Sequence, residues 1–137
     1  MSNLRSLQES PRADWTQRLS IIEQALTNQE VPVTVASAAA TIAPGVEQVF
    51  LTYAGVTSLT LPSPVAGTPG IGSTGQDGAT LEITDTTGHA HTITTGANGI
   101  NGSKHVITFP GTVGTTIKLR AFNGSWWVQM PNGAVLA

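Results

Sequence analysis

The sequence predicts a mainly β protein: a small antiparallel β-sandwich or β-barrel over residues 31–137, preceded by an N-terminal amphipathic helix. Three observations lead there. Beyond Val31, β-branched residues alternate with small polar ones between Gly, Pro and Asn punctuation, the pattern of short half-buried strands. Asn-Gly occurs at Asn98-Gly99, Asn101-Gly102, Asn123-Gly124 and Asn132-Gly133, and this dipeptide suits turns that need positive φ. Charge is also partitioned: Arg5, Glu9, Arg12, Asp14, Arg18, Glu23 and Glu30 are seven of the fourteen charged residues, so a boundary falls near residue 30.

Residues 1–9 carry Leu4 and Leu7 among polar neighbours and read as an arm that orders on a partner. Ser10 then fits an N-cap and Pro11 a first helical position, because Ser accepts from free amides and Pro has none to leave unpaired. The helix is expected from Pro11 to about Asn28. Trp15, Leu19, Ile22 and Leu26 run i, i+4, i+7, i+11 and draw a narrow apolar stripe, with Arg18, Glu23 and Gln24 off it. Two readings of the stripe stand open. It packs on its own β domain, or, with Trp15 and Ile22 at d and Leu19 and Leu26 at a, it forms a short coiled coil of three or four strands. Two heptads are marginal in water alone, so the second reading requires the following domain to associate too. Leu4, Leu7, Trp15, Leu19, Ile22 and Leu26 are accordingly the expected oligomer or partner contacts.

Strands are expected at Ala38 to Ile42, Glu47 to Tyr53, Thr57 to Leu61, Ala79 to Asp85, His91 to Thr95, His105 to Phe109, Thr115 to Phe122 and Ser125 to Met130. The last two make a hairpin about Asn123-Gly124. Alternation puts Ile117, Leu119 and Ala121 on one inward face, and Trp126, Val128 and Met130 on another. Pro62 to Gly78 is so dense in Pro, Gly and Ser that a long loop without regular structure is expected, a candidate contact surface.

Composition narrows function. Charged residues are 10% of the chain and the mean hydropathy is +0.07, which implies a neutral, hydroxyl-rich surface that repels copies of itself weakly and suits assembly. A net charge of −2 without Lys/Arg runs gives no field for nucleic acid. The N-terminus lacks an apolar signal core, and no run reaches the length of a membrane span. With no cysteine there is no disulfide framework, thiolate nucleophile or zinc–thiolate site.

Candidate chemistry is sparse. His89 and His91 stand two apart, so an extended strand aligns both imidazoles on one face. A metal reading needs further ligands, and His105 lies too far along for a local motif; the competing reading is a structural pair at a strand start, and no metal or cofactor is expected. Ser, His, Asp77, Glu82 and Asp85 lack a positioned nucleophile or G-x-S-x-G elbow, and the Gly-rich stretch lacks the Gly-Lys-Ser/Thr end of a phosphate loop; no enzyme is expected. Asn101-Gly102-Ser103 and Asn123-Gly124-Ser125 match the glycosylation sequon but read as turns. Trp126 and Trp127 point to opposite faces of one strand, so one is core and the other lies in a subunit contact or against a glycan.

From Thr57 to Gln129 the succession of signals resembles a module of tailed-bacteriophage virion proteins. A strand ends in Leu61-Pro62, a Gly-rich connection leads to Leu81–Asp85 (LEITD), and a HTITT strand precedes the NGING turn Asn98–Gly102. The hairpin TTIKLRAFNGSWWVQ (Thr115 to Gln129) follows. The resemblance covers about half the chain. It implies a virion protein assembled in the host bacterial cytoplasm, threefold association, and contact with the major capsid protein or other virion proteins. Capsid decoration or head-fibre proteins fit the short chain best, and a tail fibre or baseplate component is the alternative.

Overall fold

A computed structural model of the chain describes residues 32–137. The expected arm and helix, with Leu4, Leu7, Trp15, Leu19, Ile22 and Leu26, lie outside the described residues. Pro32–Ala137 is a unit of its own, and it is mainly β, as expected.

Strands alternate between two sheets that share one core. β1 (Val33–Val35), β3 (Gln48–Leu51) and β7 (Thr80–Asp85) pair in parallel in the first sheet. β2 (Ala39–Thr41), β4 (Ser58–Thr60) and β8 (Thr92–Thr94) do the same in the second. The chain therefore winds as a two-sided coil of three turns: β1–β2, β3–β4 and β7–β8. Each turn places the next strand beside its predecessor, pointing the same way.

The coil then closes with antiparallel pairs. β9 (Val106–Thr108) returns beside β8, and β12 (Val135–Leu136) beside β9. β10 (Thr116–Phe122) pairs with β7, and β11 (Ser125–Met130) with β10. The expectation of an antiparallel sandwich thus holds for the C-terminal strands and is corrected for the first three turns. The turn chemistry explains the division. A hairpin needs a tight turn with positive φ, and every Asn-Gly lies after residue 97, where Asn98, Asn101, Asn123 and Asn132 all have positive φ. The segments before it lack that device and cross to the opposite sheet instead.

Apolar ladders hold the coil together. Val49, Ile83 and Ile117 are consecutive partners in the first sheet, each wholly buried. Leu59, Ile93 and Ile107 do the same in the second. These pairings set β-branched and leucine side chains directly opposite one another on the inner faces, which fills the space between the sheets.

Two further expectations are corrected. Pro62 to Gly78 contains a small antiparallel ribbon, β5 (Pro69–Gly70) with β6 (Ser73–Thr74), turned at Ile71-Gly72. Its ends are tied by the amide of Gln76 to the Val65 carbonyl (2.8 Å) and the amide of Asp77 to that of Gly67 (3.0 Å). Met130 is not inward with Trp126. A bulge sets Leu119 opposite Val128 but Lys118 opposite Met130, and the extra residue turns Met130 out to solvent.

Candidate interaction surface

Five polar side chains are buried among the described residues: Thr57, Asp85, His91, Thr95 and Thr115. Three of them, with Thr87, form one network at a corner of the coil. LEITD alternates so that Leu81, Ile83 and Asp85 all point inward, and Asp85 continues the row of Val35 and Leu51. A carboxylate at a core position demands partners. Asp85 Oδ1 accepts from the Thr87 amide (2.8 Å), the Thr87 hydroxyl (2.9 Å) and the Gly88 amide (3.1 Å), and lies 3.1 Å from His91 Nε2. Burial works against ionisation of Asp85, but the Thr87 amide and hydroxyl, then the Gly88 amide and His91, outweigh it and hold its carboxyl below the usual carboxylate range. Its other oxygen, Oδ2, is buried with no hydrogen-bond partner among the described residues.

His91 is locked from both sides. The backbone amide of Thr57 donates to Nδ1 (3.0 Å), so Nδ1 bears no proton and the ring N–H sits on Nε2, facing Asp85 and the Thr87 hydroxyl (3.0 Å). Thr57 reaches the other way as well, its hydroxyl donating to the Ser37 carbonyl (2.9 Å). One chain of bonds thereby links all three turns.

Acid, imidazole and hydroxyl stand in an order familiar from nucleophilic catalysis, yet Asp85 and His91 are both wholly inaccessible. Neither side chain is reached from the surface in this structure, and the bonds of the network tie the corner of the coil together. The metal reading of His89 and His91 meets the same geometry. Both nitrogens of His91 are engaged within the protein, the two rings stand edge-on at 6.1 Å, and His105 is exposed elsewhere. Among the described residues no three His, Cys, Asp or Glu side chains group as a metal site.

The surface carries more. No charged residue lies between Glu47 and Asp77, and within that stretch the ribbon raises Ile71 fully into solvent, with Val56 and Val65 about half exposed. At the base of the ribbon opens a mostly apolar cleft of about 270 Å³, lined by Ile42, Val46, Leu61, Val65, Leu81 and Trp126 among others. Trp126 forms one wall and is fixed by its indole N–H donating to the Pro62 carbonyl (3.0 Å).

The outer face of the first sheet bears a second feature. Trp127 and Phe122 are exposed there, on β11 and β10, and with Arg120, Gln129, Gly78 and Ala121 they line a shallow depression. The division of the tryptophan pair follows the strand: Trp126 is core and Trp127 is surface.

Sequence reasoning missed the Asp85–His91–Thr57 network, although the alternation in LEITD already points Asp85 inward. It also missed the ribbon, since two-residue strands leave no periodicity to read. No protein-family model matches the sequence, and none of the curated proteins matches it.

Proposed function

We propose that the protein is a non-enzymatic structural component of a tailed-bacteriophage particle, binding the capsid surface as a homo-oligomer, a trimer for preference, to decorate or cement the head. The observation that carries this reading is the uncharged stretch between Glu47 and Asp77 with Ile71 fully exposed at the tip of a tied ribbon. Ile71 does not stand alone, since Val56 and Val65 are also about half exposed along the same stretch, and contact with other protein would cover this apolar, uncharged surface. The low charge of the chain and the sealed polar network, which offers no accessible reactive group, agree with an assembly role. The resemblance of Thr57 to Gln129 to phage virion modules supplies the kind of particle.

The test is the mass of the purified protein in solution, followed by binding to expanded empty capsids and, separately, to tails. Saturable binding to capsids alone supports decoration. Binding only to tails or host cells supports the alternative, a tail fibre or baseplate component, which the exposed Trp127 favours if it contacts a surface sugar. Ile71→Asp is expected to weaken binding while leaving the melting temperature unchanged, since Ile71 buries nothing in its own domain. Undiminished capsid binding by that variant removes the ribbon from the contact.

A further inference from the structure

The indole of Trp127 is held as a fixed plate. Its Nε1–H donates to the Phe122 carbonyl across the hairpin (3.1 Å), and Gly102 lies near the far end of the ring, where an added Cβ would come to 3.8 Å from Cη2. The indole is tied at its N–H and yet 40% exposed, so the hydrogen bond restrains its rotamer without burying it. Two planar hydrogen-bonding side chains share its depression, Arg120 as its direct cross-strand partner and Gln129 two residues along. Gly78 lines the depression too and raises no side chain over it.

Charge gives the plate a preference. Along the outer face Lys118 is paired with Glu82 at 3.4 Å, whereas Arg120 makes no ion pair among the described residues. Among the described residues the face therefore presents one guanidinium without an ion pair, directly across the strand from the indole. A stacking plate offers a surface for the C–H face of a pyranose, and a guanidinium offers two parallel donors to a carboxylate.

We infer that the depression around Trp127 is a binding site for an acidic sugar: one pyranose stacks on the indole, its carboxylate pairs with Arg120, and Gln129 takes a ring hydroxyl. The site stands on Trp127, Arg120 and Gln129 and is independent of whether the protein sits on head or tail. It leaves the capsid contact to the uncharged ribbon.

The experiment uses the full-length chain on an array of oligosaccharides bearing glucuronic, galacturonic or sialic acid, each beside its carboxyl-reduced counterpart, with calorimetry on every hit. Binding is expected for at least one acidic sugar and at least tenfold weaker for its reduced form. Trp127→Ala is expected to abolish it and Trp127→Phe to keep a weakened form. Arg120→Gln is expected to remove the preference for the acid while retaining the residual affinity for the reduced sugar. Melting temperatures confirm that each variant is folded, and the Arg120 substitution, on an exposed side chain, carries the test if Trp127→Ala does not fold. Retention of no sugar at millimolar concentration overturns the proposal. So does binding that Trp127→Phe and Arg120→Gln both leave unchanged.

Discussion

The amide of Thr57 donates to Nδ1 of His91 over 3.0 Å, and that bond joins the second turn of the coil to the third at a point no solvent reaches. Parallel strands of three or four residues carry few ladder bonds each, so such corners matter to the cohesion of the coil. Truncating His91 removes a well-packed ring, strands the Thr57 amide and takes the Nε2–H from Asp85. His91→Ala is therefore expected to cost about 3 kcal/mol in urea denaturation, the sum of a cavity and an unsatisfied donor. His91→Phe separates the two contributions, because it restores volume and no acceptor. If His91→Phe is as stable as the parent, the hydrogen bonds contribute nothing.

Asp85 makes that corner sensitive to acid. Its carboxyl is held below the usual range in the fold, while in the unfolded chain it returns to about 3.9. A depressed folded value means that the folded state favours the charged form, so the contribution is complete above the unfolded value. It is lost as pH falls through the folded one. Asp85→Asn lacks that contribution at every pH. The stability gap between parent and Asp85→Asn should be steady from about pH 7 to pH 5 and should narrow below about pH 4. A gap constant down to pH 2 contradicts the assignment.

Much of this architecture is written in the residues, but unevenly. The hairpin at Asn123-Gly124 was legible because a tight turn carries its own sidechain code, and both residues adopt positive φ. The inward rows Ile117, Leu119 and Ala121 were legible because period two survives in a regular strand. Parallel pairing was not, since it joins residues 16 or 34 apart, as Val49 joins Val33 and Ile83, and no local signal reports such a distance. The bulge that exposes Met130 breaks period two at one residue and leaves no mark on composition. Asp85 and His91 each stand out singly in the sequence, one as an acid and one in a His-x-His pair. Their meeting depends on a turn of the coil that brings Thr57 alongside.

Gly99 reports on the cover over the edge of β11. The NGING segment runs along that strand, with the Trp126 amide donating to the Gly99 carbonyl (2.7 Å), the Asn101 amide to the Trp126 carbonyl (2.9 Å), and the Val128 amide to Asn101 Oδ1 (2.9 Å). A Cβ on Gly99 would overlap the Thr95 side chain and come within 2.9 Å of the Gly96 carbonyl oxygen. Gly99→Ala should thus destabilise the domain by about 1–3 kcal/mol, an overpacking cost. Hydrogen exchange should show the amides of Trp126 and Val128 losing protection before those of Ile83 and Ile117, because an exposed edge opens first. Equal loss across all four means the segment is part of the core and not a cover.

For residues 1–30 the two readings of the apolar stripe give opposite outcomes. The buried hydrophobic residues of the β unit, from Val35 to Trp126, come from its strands and from Ile42, Leu61, Ile100 and Phe109 outside them, so residues 31–137 are expected to fold after deletion of the first thirty. If Trp15, Leu19, Ile22 and Leu26 make an intermolecular seam, that deletion weakens assembly while the β unit still folds. Replacing both Leu19 and Ile22 by Ala should then cost about 2–5 kcal/mol per buried site, enough to dissociate a marginal oligomer at micromolar concentration. If the stripe instead covers its own domain, the double variant melts lower while its sedimentation mass stays that of the parent. Mass and melting temperature measured on the same double variant decide between them, since a seam moves the first and a cover only the second. An unchanged mass with a lowered melting temperature rejects Leu4, Leu7 and the stripe as the partner contact, and leaves the ribbon about Ile71 as the surface through which the particle is joined.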